Sequence, residues 1–189
     1  MLKLSKITTN NSYLQEKITL RIDALNSIDK SKINILDCFC GYCVLWNNIK
    51  QKTNKKLNIL SIDKSKKSYA DLKGDNRKYI KNFNLNKYDI IDLDAYGIPF
   101  DQLKIILSKK YIGIIIVTYI QLKKSFGFLP IKLIEAVGIT KKMYKKCPSL
   151  FRKNGFDKLC GWLYNYTNEI NIIEISDKKY FWFKPQYKE

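Results

Sequence analysis

The chain has 189 residues, 46% of them hydrophobic, enough for one domain with a buried core and too few for two comfortable ones. Thirty-five Lys and Arg against seventeen Asp and Glu leave a formal charge of +18, which favours an anionic partner such as nucleic acid. No apolar run approaches the ~18 residues of a membrane span, residues 1–6 lack the apolar core and cleavage site of a signal peptide, and no histidine is present for Ser-His or Cys-His chemistry. A cytoplasmic protein is expected.

In chain order, residues 13–25 place Leu14, Ile18, Ile22 and Leu25 on one helical face behind the capping segment Asn10-Asn11-Ser12. A first strand at 33–37 ends in Asp37 and runs into Cys38-Phe39-Cys40-Gly41, and a short helix follows at 44–50. A second strand, 57–63, ends in Asp63; residues 75–81 read as a helix, 88–93 as the fourth strand, 100–108 as a helix and 112–119 as the fifth strand. The tail gives a helix at 154–166, then strands at 170–175 and 180–183 around the turn Ser176-Asp177-Lys178-Lys179. Alternating strands and helices predict a doubly wound, mostly parallel seven-stranded α/β sheet with helices on both faces, closed by an antiparallel C-terminal hairpin. One domain, 1–189, is expected, with an N-terminal helical segment at 1–30 and a basic helical insertion at 121–153.

Cys38, Cys40 and Cys43 crowd one loop, but five cysteines, an odd number, make no disulfide framework. Cys147 and Cys160 are the only other thiols, so the spacing does not match the usual zinc pairs. No metal site is expected, and the cysteines read as small buried spacers. Lysine is clustered beyond what codon bias alone would scatter, at Lys64, Lys66 and Lys67 and then in pairs. Lys123, Lys124, Lys141, Lys142, Lys145, Lys146, Arg152 and Lys153 follow the fifth strand and are candidate phosphate contacts. Tyr144 and Phe151 interleave with them as candidate base contacts. A helix simply covering the sheet, with Leu129, Leu133 and Val137 as its apolar face, is the competing reading.

The most informative stretch is 87–100. Ile90, Ile91 and Leu93 read as a buried strand, and Gly97 and Pro99 turn the chain away from a polar tip of Asp92, Asp94 and Tyr96. Ligands bind at such tips in open α/β sheets. Alternation puts Asp92 and Asp94 on one side of the strand, and Asp94, beside the turn, is preferred as the reactive acid.

The order of elements and the strand tips, over 33–183, resemble the class I, Rossmann-like S-adenosylmethionine-dependent methyltransferase superfamily. Asp37-Cys38-Phe39-Cys40-Gly41-Tyr42-Cys43 resembles its first motif, with Cys43 where a second glycine is often found; the likeness implies cofactor contacts from Asp37, Phe39 and Gly41. Asp63, followed by Lys64, resembles the strand-two acid that accepts both ribose hydroxyls. Gly74-Asp75-Asn76 resembles the loop that reads adenine, and reads equally as a helix N-cap. Asp94-Ala95-Tyr96-Gly97 resembles the Asp-Pro-aromatic-Gly of the tRNA guanine-N2 dimethyltransferase family, with Ala95 in place of the proline.

The resemblance implies S-adenosyl-L-methionine as cofactor and methyl transfer to an exocyclic amine of a base in RNA or DNA, tRNA among them; Asp92 either flanks that ligand with Asp94 or is a structural acid at the sheet edge. Asp94 would accept the amine's hydrogens and Tyr96 would stack the extruded base. The chain lacks room for the additional RNA-binding domain of the tRNA enzymes, which leaves target recognition open to a separate protein partner. A nucleic-acid-binding module that keeps the fold without catalysis is the alternative, carried by Cys43 and Ala95. A dinucleotide oxidoreductase is disfavoured by the lack of Gly-x-Gly-x-x-Gly.

Overall fold

The computed structural model describes residues 13–121, 129–175 and 178–187. Its strands are β1 (Lys32–Asp37), β2 (Lys56–Asp63), β3 (Leu72–Lys73), β4 (Ile90–Leu93), β5 (Ile114–Ile120), β6 (Asn171–Ile175) and β7 (Lys178–Phe183). They form one sheet in the order β3-β2-β1-β4-β5-β7-β6. The first five pair in parallel, and β7 runs antiparallel between β5 and β6. The predicted sheet with its reversed hairpin is thus observed. β4 and β5 are buried along their whole lengths, which is why they read as near-continuous apolar runs. β6, at the sheet edge, alternates between half-buried and exposed.

The helices are α1 (Leu14–Asn26), α2 (Val44–Lys50), α3 (Asn76–Asn82), α4 (Phe100–Ser108), α5 (Ile131–Ala136), α6 (Lys141–Lys146), α7 (Pro148–Arg152) and α8 (Gly155–Leu163). Successive strand residues face opposite sides, so the sheet divides the core in two. Ile33, Ile35 and Ile90 pack with Ile18, Leu25, Trp46 and Ile49 on the α1 and α2 side. Leu36, Ile91 and Leu93 pack with Phe100, Leu103 and Trp162 on the other. Asp92 and Asp94, in phase with Ile90, therefore face α1.

That phase widens the expected face of α1, whose Leu14, Ile18, Ile22 and Leu25 all pack in one core cluster. Its buried residues are Lys17, Ile18, Leu20, Arg21, Ala24 and Leu25, while Leu14 and Ile22 are only half-buried. Two cations have turned inward because two strand acids lie beneath them. Tyr13 stands at the N-cap with no side-chain cap bond, and the expected capping residues 10–12 lie outside the described residues.

The segment after β5 also departs from expectation. A continuous apolar face over Leu129, Leu133 and Val137 is replaced by three short helices, the first ending just before Gly138 at φ 83°, a backbone conformation that glycine adopts without strain. Leu129, Ile134 and Tyr144 form a small cluster of their own, whereas Leu133 joins the main core. Lys123 and Lys124 lie outside the described residues, as do Ser176 and Asp177 of the hairpin turn.

Candidate functional site at the strand tips

The C-terminal tips of the parallel strands are tied to one another by backbone and side-chain bonds. The Cys38 N–H donates to the Asp92 carbonyl at 3.0 Å and the Cys40 N–H to the Ile62 carbonyl at 3.3 Å. Gly41, in the left-handed region at φ 55°, donates its N–H to Asp63 Oδ2 at 2.9 Å. Ser65 N–H donates to Asp63 Oδ1 at 2.7 Å, so two backbone donors aim this half-buried carboxylate while each oxygen keeps one accepting site. Asn76 is buried, its amide donating to the Cys38 carbonyl at 2.7 Å and accepting from Gln102 Nε2 at 2.9 Å. Asp37, Gly41, Asp63, Asp75, Asn76, Asp92 and Asp94 thus come to one edge of the sheet.

The turn after β1 reproduces a glycine-type backbone without a second glycine. Cys43, just before α2, sits at φ 55° and ψ 18°, and it is disulfide-bonded to Cys40. That pair corrects the reading of all five cysteines as spacers: a four-residue turn brings these two sulfurs together, while Cys38 and Cys160 are buried free thiols.

The acids of β4 meet α1 through a match of repeats. Four residues of helix rise about 6 Å and two residues of strand about 6.6 Å, so Lys17 and Arg21 stand opposite Asp94 and Asp92. Arg21 Nη2 and Nε donate to the two oxygens of Asp92 at 2.7 and 2.8 Å, and Trp46 Nε1 adds a third bond at 2.9 Å. Lys17 Nζ donates to Asp94 Oδ2 at 2.8 Å and Thr118 Oγ1 to Asp94 Oδ1 at 2.5 Å. Asp92 is wholly buried and Arg21 likewise. Of the two readings of Asp92, a ligand-flanking acid or a structural one, the bonds seen are those of a structural acid, with Arg21 and Trp46 holding it inside the protein.

Three carboxyls, Asp37, Asp92 and Asp94, lie close to two cations in this cluster, and burial raises the Asp92 value in spite of the Arg21 charge. Burial and the neighbouring Asp92 charge push the Asp37 carboxyl well above the usual range, and its side chain accepts from the Phe39 N–H at 3.1 Å. For Asp94, burial works against ionisation, but the charges of Arg21 and Lys17 and the bonds from Lys17 and Thr118 prevail, and its value is lowered. Asp94 is therefore the ionised acid nearest solvent, its side chain 17% exposed. Lys17, Arg21, Trp46 and Thr118 were not legible as site residues; the four-residue spacing of Lys17 and Arg21 against the two-residue spacing of the acids was the available signal.

Of the other candidates, Tyr96 is 58% exposed beside Gly97. Tyr69, still more exposed, meets Tyr42 edge to face at 5.4 Å. Phe39 is half-buried against the main core, and Lys64 is exposed. Asp75 is the N-cap of α3: it accepts from the Arg77 N–H at 3.0 Å and pairs with the Arg77 guanidinium at 2.7 Å, so of its two readings the cap is the one seen. Lys141, Lys142, Lys145 and Lys146 are all exposed on α6, and Lys153 is exposed after α7, whose last residue is Arg152. Tyr144 is not available to a base: it is buried, accepts from the Leu129 N–H at 3.1 Å and packs on Phe151 at 6.3 Å.

A cleft of about 580 Å³ opens at the opposite edge of the sheet, where Lys30 and Asp89 already pair at 2.6 Å. Among the described residues there is no cluster suited to a metal ion and no helix long and apolar enough to cross a membrane.

No family model and no curated protein matches the chain. Solved structures do. A candidate S-adenosyl-L-methionine-dependent methyltransferase from Methanococcus maripaludis superposes with a TM-score of 0.50 at 16% identity, over 95% of this chain and 90% of that one. A Podospora anserina methyltransferase bound to S-adenosylhomocysteine gives 0.51 at 13% identity, over 95% and 80%. A candidate rRNA methylase from Clostridium thermocellum gives 0.53 at 10% identity, over 96% and 99%. The fold is that of the class I, Rossmann-like methyltransferases.

Proposed function

We propose that the chain is an S-adenosyl-L-methionine-dependent methyltransferase acting on an exocyclic amine of a nucleic-acid base in RNA or DNA, tRNA among the candidates. The observation that carries this reading is Asp94, an acid held ionised at the tip of β4 beside an exposed tyrosine, on a sheet of methyltransferase topology. The residues at the tips of β1 and β2 fit the cofactor: Asp63, aimed by two backbone donors, would take the ribose hydroxyls, and the Gly41 turn permits close approach of a ligand to the backbone. When bound, the cofactor supplies an electrophilic methyl group.

The chain's own residues do the remaining work. Asp94 retains one accepting site on each oxygen, so it takes hydrogens from the acceptor amine and localises the nitrogen lone pair. Lys17 and Thr118 keep that acid charged and oriented. Tyr96 offers its face to the base, a contact worth about 1 to 3 kcal/mol in single-strand binders. The lysines of α6, with Lys123, Lys124, Arg152 and Lys153, are assigned to phosphates. We read the chain as one methyltransferase-like domain of a cytoplasmic protein, with a separate partner able to supply target recognition.

Calorimetric titration with S-adenosylhomocysteine tests the cofactor. Micromolar binding that Asp63→Ala removes is the expected result, and no binding would leave a nucleic-acid-binding module that keeps the fold alone. Asp94→Ala should then abolish methyl transfer to RNA with cofactor affinity largely intact; unchanged turnover would remove Asp94 from its role. The second reading has one observation in its favour, the Lys17 ammonium already seated on Asp94.

A further inference from the structure

The turn that carries Gly41 is closed by a disulfide across Cys40-Gly41-Tyr42-Cys43. A ring this small constrains the unfolded chain less than a long one, so global stabilisation is a poor account of the bond. Its local effect is larger. Cys43 carries a Cβ in the left-handed region, at φ 55°, where an ordinary side chain is disfavoured, and a covalent link to Cys40 holds it there. The same turn is wired to the tip of β2, because Gly41 donates to Asp63 at 2.9 Å and accepts from the Tyr69 N–H at 2.9 Å. Cys-x-x-Cys beside a βαβ unit is also the arrangement of redox-active dithiols.

We propose that Cys40 and Cys43 form a reversible thiol–disulfide exchange site whose reductant is a dithiol, and that its oxidation state sets the shape of the loop at the candidate cofactor site. The second half of this proposal rests on the methyltransferase reading for its ligand. Cys43 is half-buried and Cys40 is 8% exposed, so an incoming thiolate reaches the Cys43 sulfur first. It forms a mixed disulfide there, and Cys40 leaves as a thiolate that takes up a proton. The second thiol of the reductant then displaces Cys43, which is protonated in turn. Two electrons and two protons pass to the protein, and the dithiol departs as a disulfide. Cys38 stays outside the exchange, buried and free. Once reduced, Cys43 is free to leave the left-handed region, and the Gly41 amide loses its fixed position over Asp63.

The test combines thiol counting with binding. Full-length protein equilibrated in dithiothreitol buffers of graded potential is alkylated under denaturing conditions and weighed by intact mass; S-adenosylhomocysteine affinity is measured at each end of the series. We expect three alkylated cysteines in the oxidised protein, matching Cys38, Cys147 and Cys160, and five after reduction, with affinity about tenfold weaker in the reduced form, the scale set by one left-handed residue with a side chain. Cys43→Gly, which needs no covalent link to hold that backbone, should bind equally well with and without dithiothreitol. Five alkylated cysteines throughout would overturn the exchange site, and equal affinity at three and five would overturn its control of the loop. Absence of binding in both states would instead strike the cofactor reading, with the cysteine count still deciding the exchange.

Discussion

Lys17 and Arg21 of α1 and the four lysines of α6 carry the same charge in opposite settings. The α1 pair is buried against Asp94 and Asp92, where a lost partner leaves an uncompensated charge in a medium of low dielectric. The α6 lysines point into water on a helix whose only buried residue is Tyr144, where a charge is screened and contributes little to stability. A cation count of thirty-five therefore mixes two populations, one that holds the candidate site together and one available to a polyanion.

Substitutions should separate the two. The largest effect is expected from Arg21→Ala, which strands the buried Asp92 and should cost about 3 to 5 kcal/mol in a urea unfolding titration. Arg21→Met combined with Asp92→Leu should recover most of that loss, since apolar residues of similar volume commonly replace a buried pair at little cost; a double variant as unstable as the single one would assign the loss to packing. Next comes Lys17→Ala, at about 1 to 3 kcal/mol for a bond to a charged acceptor.

Two of these groups also predict opposite pH responses. The Asp94 value is lowered by folding, so its stabilisation is present above the ordinary carboxylate range and is lost as pH falls through the lowered value. Thermal unfolding followed from neutral pH downward should show a shallower acid limb for Lys17→Ala than for the parent. The Asp37 value is raised, so keeping this acid adds no penalty at low pH and an increasing one as pH climbs from the ordinary range through the raised value. Asp37→Asn, which can still accept the Phe39 N–H, should raise the melting temperature at neutral pH and leave it unchanged near pH 3; the reverse order would show Asp37 to be ionised and paired.

The smallest stability effect belongs to the α6 lysines. Replacing Lys141, Lys142, Lys145 and Lys146 by Gln should alter stability by no more than about 0.5 kcal/mol per site, yet reduce the salt slope of single-stranded RNA binding by up to about 3, at ~0.7 per phosphate contact. An unchanged slope would reassign these lysines to a merely solvated surface.

Much of the architecture was legible because its signals are local. The apolar run Ile90-Ile91 before the polar tip, the helix at Phe100–Ser108 and the hairpin strands were all read from neighbouring residues, and each depends on periodicity over a handful of positions. The face of α1 was read only in part for the same reason. Leu14, Ile18, Ile22 and Leu25 make a reasonable apolar stripe by spacing alone, and nothing nearby in the chain announces that Lys17 and Arg21 have buried partners.

What the sequence determined by itself was the alternation of strands and helices, the reversed hairpin and the gathering of acids at strand ends, since hydrophobic period and turn residues act within a few positions. Tertiary structure alone decided which acid is closed off and which is held ionised. Asp92 meets Arg21 across 71 residues and Asp94 meets Lys17 across 77, and burial, a property of the packed whole, gives those pairs their strength. The left-handed backbone of Cys43 likewise became visible only once the turn was folded around Gly41.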